Sequence, residues 1–294
     1  MTDRRYHIDK SRLRRAFDAA ARAYDQAAVL QHEVRARLLE RLDYIKLEPS
    51  RVLDAGTGTG RASDALLKRY RSAQVVALDL AYGMVQIARR KGRWLRRPLG
   101  VNADIEALPF ADGSFDLVFS NLTLQWLDEP DRVFAELRRV LAPHGLLMFT
   151  TFGPDTLREL RTAWQAADAG AHVNEFLDMH DVGDALVRAG FADPVMDMEM
   201  ITVTYERARQ LMRDLKAIGA ANAMRERQRG LTGRARLQAV EAAYEAFRTP
   251  EELLPATYEV VYGHAWAPDA PPPTRPKGRP LEIPVKVYRP GGED

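Results

Sequence analysis

Cysteine is absent from the 294 residues of this chain. Disulfide frameworks, thiolate zinc sites and a cysteine nucleophile are therefore excluded, and we predict no metal site. No apolar run approaches the roughly 20 residues that a membrane-spanning helix needs, and residues 1–15 are basic and polar, without the apolar stretch of a secretory signal. The missing disulfides suit a reducing compartment, so we expect a cytoplasmic protein.

The chain also lacks a large excess of charge of either sign. The chain carries 43 Lys and Arg against 41 Asp and Glu, a formal net charge of +2, and 46% of its residues are hydrophobic. This composition is typical of a globular protein with a substantial core. Because the overall charge is nearly balanced, any preference for an acidic partner must come from local clusters of basic residues.

Short apolar runs alternate with amphipathic stretches from residue 51 onward. Such alternation predicts an α/β fold, in which a parallel sheet is covered by helices on both faces. The predicted strands are 52–53, 75–78, 115–119 and 146–149, and the predicted helices between them are 61–70, 82–91 and 131–141.

The flanking regions have a different character. Helical spacing of apolar residues predicts one helix over 11–47. After residue 151 the pattern predicts helices over 155–169, 180–189, 205–218 and 234–248, with strands over 198–204 and 258–263. We therefore divide the chain into an N-terminal helical cap (1–47), an α/β domain with helical insertions at about 155–190 and 205–250 (48–265), and a Pro-rich, mobile tail (266–294).

A glycine-rich turn follows the first predicted strand. Gly56, Gly58 and Gly60 stand between that strand and a helix, where glycine lets the backbone turn tightly and approach a ligand. A dinucleotide-binding enzyme is the main functional rival, but its Gly-x-Gly-x-x-Gly pattern needs glycine where this chain has Arg61. A plain strand-to-helix turn is the structural alternative.

Two acidic residues follow later strands. Asp79 ends the second strand, where a carboxylate can accept hydrogen bonds from both hydroxyls of a ribose. Asp104 lies in the segment 102–110, after a further strand expected between 75–78 and 115–119, and it can accept from an adenine amino group while Ile105 packs on the ring. Each aspartate on its own could instead be a helix cap or turn residue. Three suitable features at successive strand ends favour a nucleoside-containing ligand.

These motifs together resemble the class I S-adenosylmethionine-dependent methyltransferases. The resemblance is carried by 54–60, Asp79, 104–105, 114–121 and 137–145. It implies a Rossmann-like, mostly parallel seven-stranded sheet with S-adenosylmethionine over the strand ends and helical insertions capping the site. The cofactor-binding residues that we predict on this basis are Tyr24, Asp54, Gly56, Gly58, Gly60, Asp79, Leu80, Met84, Asp104, Ile105, Asn121 and Leu122.

Segments outside the sheet resemble the malonyl-[acyl-carrier protein] O-methyltransferases of biotin synthesis. The similarity runs from about residue 8 to residue 265 and rests on 17–31, 121–126, 150–157, 172–176 and 211–222. It implies methyl transfer to the free carboxylate of a malonyl thioester, on a carrier protein or on coenzyme A. Because a carboxylate is already deprotonated, this reaction needs no general base, and Tyr24 is a candidate for positioning only.

Substrate contacts are predicted in two places. Gln125 and Trp126 follow the predicted strand 115–119, where Trp126 can wall an acyl pocket. Arg209, Arg213 and Lys216 share one face of the predicted helix 205–218, so that they can contact an acidic carrier or the malonyl carboxylate. A solvated basic face is the alternative interpretation of that helix.

Other functions remain open at this stage. A complex I assembly factor of the same fold, linked to arginine hydroxylation of a partner protein, also resembles this sequence. A methyltransferase of another small carboxylic acid and a non-catalytic binding protein are further alternatives. We expect neither a nucleic-acid nor a membrane partner, because the chain lacks the Asn/Asp-Pro-Pro-aromatic signature and any spanning segment.

Overall fold

The computed structural model describes residues 7–168, 170, 172–220 and 233–269. Most of the predicted tail, residues 270–294, lies outside the described residues, as do residues 221–232 of the late insertion. Within the described ranges, no helix combines the length and the apolar character that crossing a membrane requires.

Seven strands form a single sheet in the order β3-β2-β1-β4-β5-β7-β6. Strands β1 to β5 are mutually parallel, whereas β7 is antiparallel to both of its neighbours, β5 and β6. The predicted mostly parallel, seven-stranded α/β sheet is therefore confirmed. The strands are β1 (Arg51–Ala55), β2 (Gln74–Asp79), β3 (Leu99–Asn102), β4 (Phe115–Ser120), β5 (Leu141–Phe152), β6 (Ala192–Tyr205) and β7 (Leu254–Trp266).

Ten α-helices lie in the described residues, and the predicted helices after the first strand are found close to their expected positions. They are α1 (Lys10–Ala20), α2 (Tyr24–Ala27), α3 (Val29–Arg41), α4 (Arg61–Arg69), α5 (Tyr82–Ala88), α6 (Pro130–Val140), α7 (Arg158–Ala167), α8 (Met179–Arg188), α9 (Ala208–Ala217) and α10 (Arg234–Tyr244).

The continuous helix predicted over 11–47 is wrong in one respect, since the chain forms α1, α2 and α3 with breaks between them. Contacts to the sheet edge explain the bends. Asp18 on α1 accepts a hydrogen bond from the backbone N–H of Gly83 at 2.7 Å, and Asp25 on α2 accepts one from Thr59 Oγ1 at 2.6 Å. These tertiary bonds outweigh the local preference for a straight helix.

Successive side chains along a strand point to opposite faces of the sheet, so the strands contribute apolar side chains to the core on both faces. Val52 and Leu117 point to the face covered by α3, α4, α7, α9 and α10. Their neighbours Leu53 and Val118 point to the opposite face, against α6 and α8. All four side chains are fully buried, as expected for a sheet that is covered on both sides.

The strand order places the functional residues at one edge. The order reverses between β1 and β4, and ligands of open α/β sheets bind at the carboxyl ends of the strands beside such a reversal. Helix α1 covers this edge, held by the bond from Ile8 N to Asp128 Oδ1 at 2.8 Å as well as by Asp18.

Candidate functional site

A first cavity lies at the carboxyl ends of β1, β2 and β4, under α1. It is lined by all the predicted cofactor residues except Asp54 and Gly60. The lining residues from that prediction are Tyr24, Gly56, Gly58, Asp79, Leu80, Met84, Asp104, Ile105, Asn121 and Leu122.

The three positions of the turn differ in what a side chain would meet there. All adopt positive φ, at +77°, +55° and +81° for Gly56, Gly58 and Gly60. A Cβ on Gly56 would overlap Thr123, and one on Gly60 would lie 2.6 Å from the Cα of Ala88. A Cβ on Gly58 would meet no protein atom within 4 Å. Gly58 therefore leaves open space beside the cavity, whereas Gly56 and Gly60 allow close packing of the protein itself.

Asp79 closes the second strand and holds the glycine turn. Its Oδ2 accepts from the N–H of Gly58 at 2.9 Å and its Oδ1 accepts from the N–H of Ala81 at 2.8 Å. Burial raises the pKa of this carboxyl to about 6, even though the two backbone hydrogen bonds act in the opposite direction. Asp79 is therefore mostly ionised at neutral pH, and its remaining lone pairs can accept from a ribose.

Asp54 does not line the cavity. Its buried carboxylate accepts from Thr57 Oγ1 at 2.6 Å and from Ser63 Oγ at 2.5 Å. Burial raises the pKa of Asp54, and these hydroxyl hydrogen bonds partly oppose that shift. Asp54 thus ties the glycine turn to α4, while Gly60 lets α4 pack against α5. Both residues therefore shape the turn without lining the cavity.

Asp104 lies beside a basic residue that the sequence did not reveal. Its Oδ2 accepts from Lys10 Nζ at 2.6 Å, and its Oδ1 accepts from the N–H of Glu106 at 3.0 Å. Lys10 also pairs with Glu106 at 2.7 Å and itself lines the cavity. No local sequence signal indicates this contact, because 94 positions separate Lys10 from Asp104.

Tyr24 and its neighbour Asp25 connect the cap to the glycine turn. Desolvation raises the pKa of the Tyr24 phenol, and the nearby carboxylates of Asp79 and Asp25 raise it further. The phenol consequently stays protonated at neutral pH and can act as a hydrogen-bond donor. Asp25 binds Thr59 and also pairs with Arg61 at 2.9 Å. Asp25 was missed by sequence reasoning.

A second cavity, of about 420 Å³, adjoins the first. The two share Phe17, Tyr24, Leu122 and Trp126 in their walls. Phe17 and Trp126 pack edge to face, with their ring centroids 5.7 Å apart. The predicted substrate residues Gln125, Trp126 and Lys216 all line this second cavity.

The basic residues of α9 are separated by the structure. Arg213 and Lys216 line a shallow groove between α1 and α9, together with Arg12 and Arg15. Arg12 and Lys216 also reach the second cavity. Arg209 instead pairs with Glu241 on α10, and it lines neither of the two cavities nor the groove.

Comparison with known proteins identifies the family. A methyltransferase-domain model matches residues 53–149. The malonyl-[acyl-carrier protein] O-methyltransferase of Laribacter hongkongensis is 57% identical over 275 residues, covering 91% of this chain and 92% of the relative. The enzyme of the same name from Methylovorus sp. is 55% identical over 276 residues, covering 92% and 93%. The chain belongs to the malonyl-[acyl-carrier protein] O-methyltransferase family.

Solved structures support the same fold at much lower identity. A putative methyltransferase from Bacillus halodurans aligns with a TM-score of 0.56 at 19% identity, covering 80% of this chain and 98% of that one. Phosphoethanolamine N-methyltransferase 2 of Haemonchus contortus, in complex with S-adenosylmethionine, aligns at 0.51 and 16% identity, covering 85% and 57%. This malonyl-[acyl-carrier protein] O-methyltransferase family member therefore has the Rossmann-like methyltransferase fold.

Proposed function

We propose that this protein transfers a methyl group from S-adenosylmethionine to the free carboxylate of a malonyl thioester on an acyl carrier protein, giving the methyl ester that primes biotin synthesis. The observation that supports this most directly is the junction of the two cavities. Phe17, Tyr24, Leu122 and Trp126 belong to both, so a methyl donor in the first cavity and an acyl group in the second would meet there.

The residues of the first cavity fit S-adenosylmethionine. Asp79 offers carboxylate lone pairs to a ribose, and Gly58 leaves room for the amino-acid portion beside the turn. Asp104 and Ile105 are candidates for the adenine contact. When bound, S-adenosylmethionine supplies an activated methyl group on its sulfonium.

The junction needs to orient the reactants and exclude water. A malonyl carboxylate is ionised at neutral pH, so nothing in the enzyme has to remove a proton from it. The raised pKa of Tyr24 keeps its hydroxyl protonated, which suits a donor to the carboxylate and rules out a general base at that position near pH 7. Apart from the hydroxyl of Tyr24, the four shared side chains are apolar or aromatic, and they keep water from the reacting atoms.

The groove between α1 and α9 supports a protein as the physiological carrier of the malonyl group. Arg12, Arg15, Arg213 and Lys216 line this groove, and none forms an ion pair with a described carboxylate. Acyl carrier proteins are acidic, and complementary charge accelerates and orients such docking. Arg12 and Lys216 also line the second cavity, so the groove leads directly into it.

Methylation of the malonyl carrier is the decisive test. Purified protein with S-adenosylmethionine should add one methyl mass to malonyl carrier protein and none to acetyl carrier protein, measured by intact-protein mass spectrometry. An unchanged malonyl carrier would refute the proposed reaction. Equal methylation of the acetyl carrier would place the modification somewhere other than the malonyl carboxylate.

Docking of the carrier can be tested separately with two matched variants of α9. Arg213→Gln removes a groove charge, whereas Arg209→Gln removes a charge that is already paired with Glu241. The ratio of kcat/KM for malonyl carrier to that for malonyl-pantetheine should fall about tenfold in the first variant and stay within twofold in the second, since one exposed charge contact contributes on the order of 1 kcal/mol. Equal ratios in both variants would contradict docking at the groove.

A further inference from the structure

The second cavity has an apolar wall with a few buried polar groups. Apolar side chains form most of it, among them Phe152 of β5, Leu160 and Trp164 of α7, Met212 of α9, and Phe176 from the segment before α8. Its volume of about 420 Å³ is within the range of pockets that enclose a whole small-molecule ligand. Apart from Arg12 and Lys216, which also line the groove between α1 and α9, this wall suits an uncharged chain much better than an ionised group.

Two side-chain amides in this wall lack a partner for their oxygens. Gln125 and Asn174 are only 9% and 7% exposed. The Nε2 of Gln125 donates to the carbonyl of Leu122 at 2.7 Å, but its Oε1 accepts from no group in the described part of the chain. Asn174 Oδ1 likewise accepts from no group in the described part of the chain. A buried acceptor without a donor destabilises the protein, so a ligand that supplies an N–H recovers that free energy on binding.

The loop that carries Asn174 is fixed in place by its neighbours. The Nε2–H of His172 donates to the carboxylate of Asp168, with Nε2 and Oδ1 separated by 2.7 Å. Its ring also stacks on Trp164, at 3.8 Å between centroids and 12° between planes. Burial works to raise the pKa of Asp168, but hydrogen bonds from Gly170 and His172 outweigh it and lower that pKa. These contacts of His172 therefore hold the segment that carries Asn174 in place.

The substrate of the proposed reaction has matching donors. Beyond its sulfur atom, the pantetheine arm of a malonyl thioester is uncharged and carries two amide N–H groups. A free dicarboxylate has no N–H donor and no uncharged chain to bury. We propose that the second cavity holds the pantetheine arm, with Gln125 Oε1 and Asn174 Oδ1 accepting hydrogen bonds from its amide N–H groups. This assignment rests on the proposed function, because it takes the malonyl group to lie at the junction with the first cavity.

The first test changes the substrate and leaves the protein intact. In each of two analogues of malonyl-pantetheine, an ester oxygen replaces one of the two amide N–H groups, which removes that donor and retains the shape. The wild-type kcat/KM should fall about tenfold for at least one replacement, the loss expected for a single buried hydrogen bond. Unchanged kcat/KM for both analogues would overturn the assignment.

The second test changes the protein. Asn174→Leu and Gln125→Met remove the acceptors at similar volume, and Gln74→Met, at an exposed position on β2, is the matched control. We compare kcat/KM for malonyl-pantetheine with that for the malonyl thioester of propanethiol, which has no amide. The ratio should fall about tenfold in the two cavity variants and stay constant in the control.

Each outcome bears on a different claim. If the ratio of the two kcat/KM values stays constant in both cavity variants, whether activity is lost or kept, the assignment of the pantetheine site is overturned. The side-chain amides of Gln125 and Asn174 would then serve only the fold. Failure of the wild-type protein to methylate any malonyl thioester would instead refute the proposed function. Thermal unfolding and calorimetric titration with S-adenosylmethionine identify variants that are merely misfolded.

Discussion

Asp79 accepts a hydrogen bond from the backbone N–H of Gly58, at 2.9 Å and across 21 positions of the chain. The candidate ribose acceptor at the end of β2 and the glycine turn after β1 therefore form one unit. The protonation state of Asp79 controls both the acceptor that the cofactor would use and the position of the turn beside it. Changes at this carboxyl should affect cofactor binding more than a single lost contact would.

Binding of S-adenosylmethionine should weaken in acid. Burial raises the pKa of Asp79 to about 6, so the carboxylate acceptor is present above that pH and becomes protonated below it. If binding needs the ionised form, the dissociation constant should rise about tenfold between pH 7.5 and pH 5. Isothermal titration calorimetry across this range measures the effect. Asp79→Asn should bind weakly with a flat profile, and a flat wild-type profile would contradict this role.

Gly56 and Gly58 should differ when each is replaced by alanine. Both have positive φ, which costs a non-glycine residue about 1–2 kcal/mol. Gly56→Ala adds an overlap with Thr123 and should lower the free energy of unfolding by about 3 kcal/mol in total, measured with urea. Gly58→Ala meets no protein atom and should lose stability only through its φ, but it should lose most cofactor affinity. Similar stability in the two variants would mean that the close packing at Gly56 relaxes readily.

Asp25 should contribute to stability as the anchor between the cap and the glycine turn. Burial acts to raise its pKa, but hydrogen bonds from Thr59 and Arg61 prevail and lower it. A depressed carboxyl pKa stabilises the fold above the unfolded-state value, and this contribution is lost as the pH falls through the folded-state value. Asp25→Ala should therefore reduce the free energy of unfolding at pH 7 by about 2 kcal/mol and by less at pH 3.

A surface ion pair provides the control for Asp25. Asp43 pairs with Arg69 at 2.7 Å, but most of its side chain is exposed to water. Asp43→Ala should change the free energy of unfolding by less than about 1 kcal/mol. Equal losses in the two variants would show that Asp25 acts as an ordinary surface charge.

Glu159 should hold α7 to the sheet. Its buried carboxylate accepts from the backbone N–H of Thr257 on β7 at 3.1 Å and also from the hydroxyl of that residue. Glu159→Ala leaves both donors buried without their acceptor and should lower the free energy of unfolding by about 3 kcal/mol. Glu251→Ala, at an exposed position, should be neutral. Thermal and urea unfolding of the two variants test this difference.

The sequence predicted correctly those residues of the first cavity whose location depends only on their position relative to a strand. Gly58 and Asp79 come directly after strands, and parallel strands bring their carboxyl ends to one edge whatever the details of packing. Helical spacing likewise put Arg209 and Arg213 on one face of α9. Only the packing of α9 between α1 and α10 determines that Arg213 faces the groove while Arg209 meets Glu241.

Contacts made across long stretches of chain escaped prediction. Lys10 meets Asp104 because α1 folds back over the sheet edge, and the breaks around α2 that permit this have no strong local signal. Asn174 was noticed only as part of a resemblance, since its place in a cavity wall depends on α7 and α9 packing on either side. Tertiary packing, more than local propensity, decided these positions.

The interior position of β7 has a consequence for synthesis of the protein. This strand, Leu254–Trp266, lies between β5 and β6 and pairs with both along most of its length. On the ribosome, β5 and β6 are therefore made well before the strand that joins them, and until then each presents unpaired backbone groups on which another nascent chain can add a strand. Completion of the sheet, and with it the part of the second cavity's wall that Tyr258 provides, must wait until residue 266 has left the ribosome.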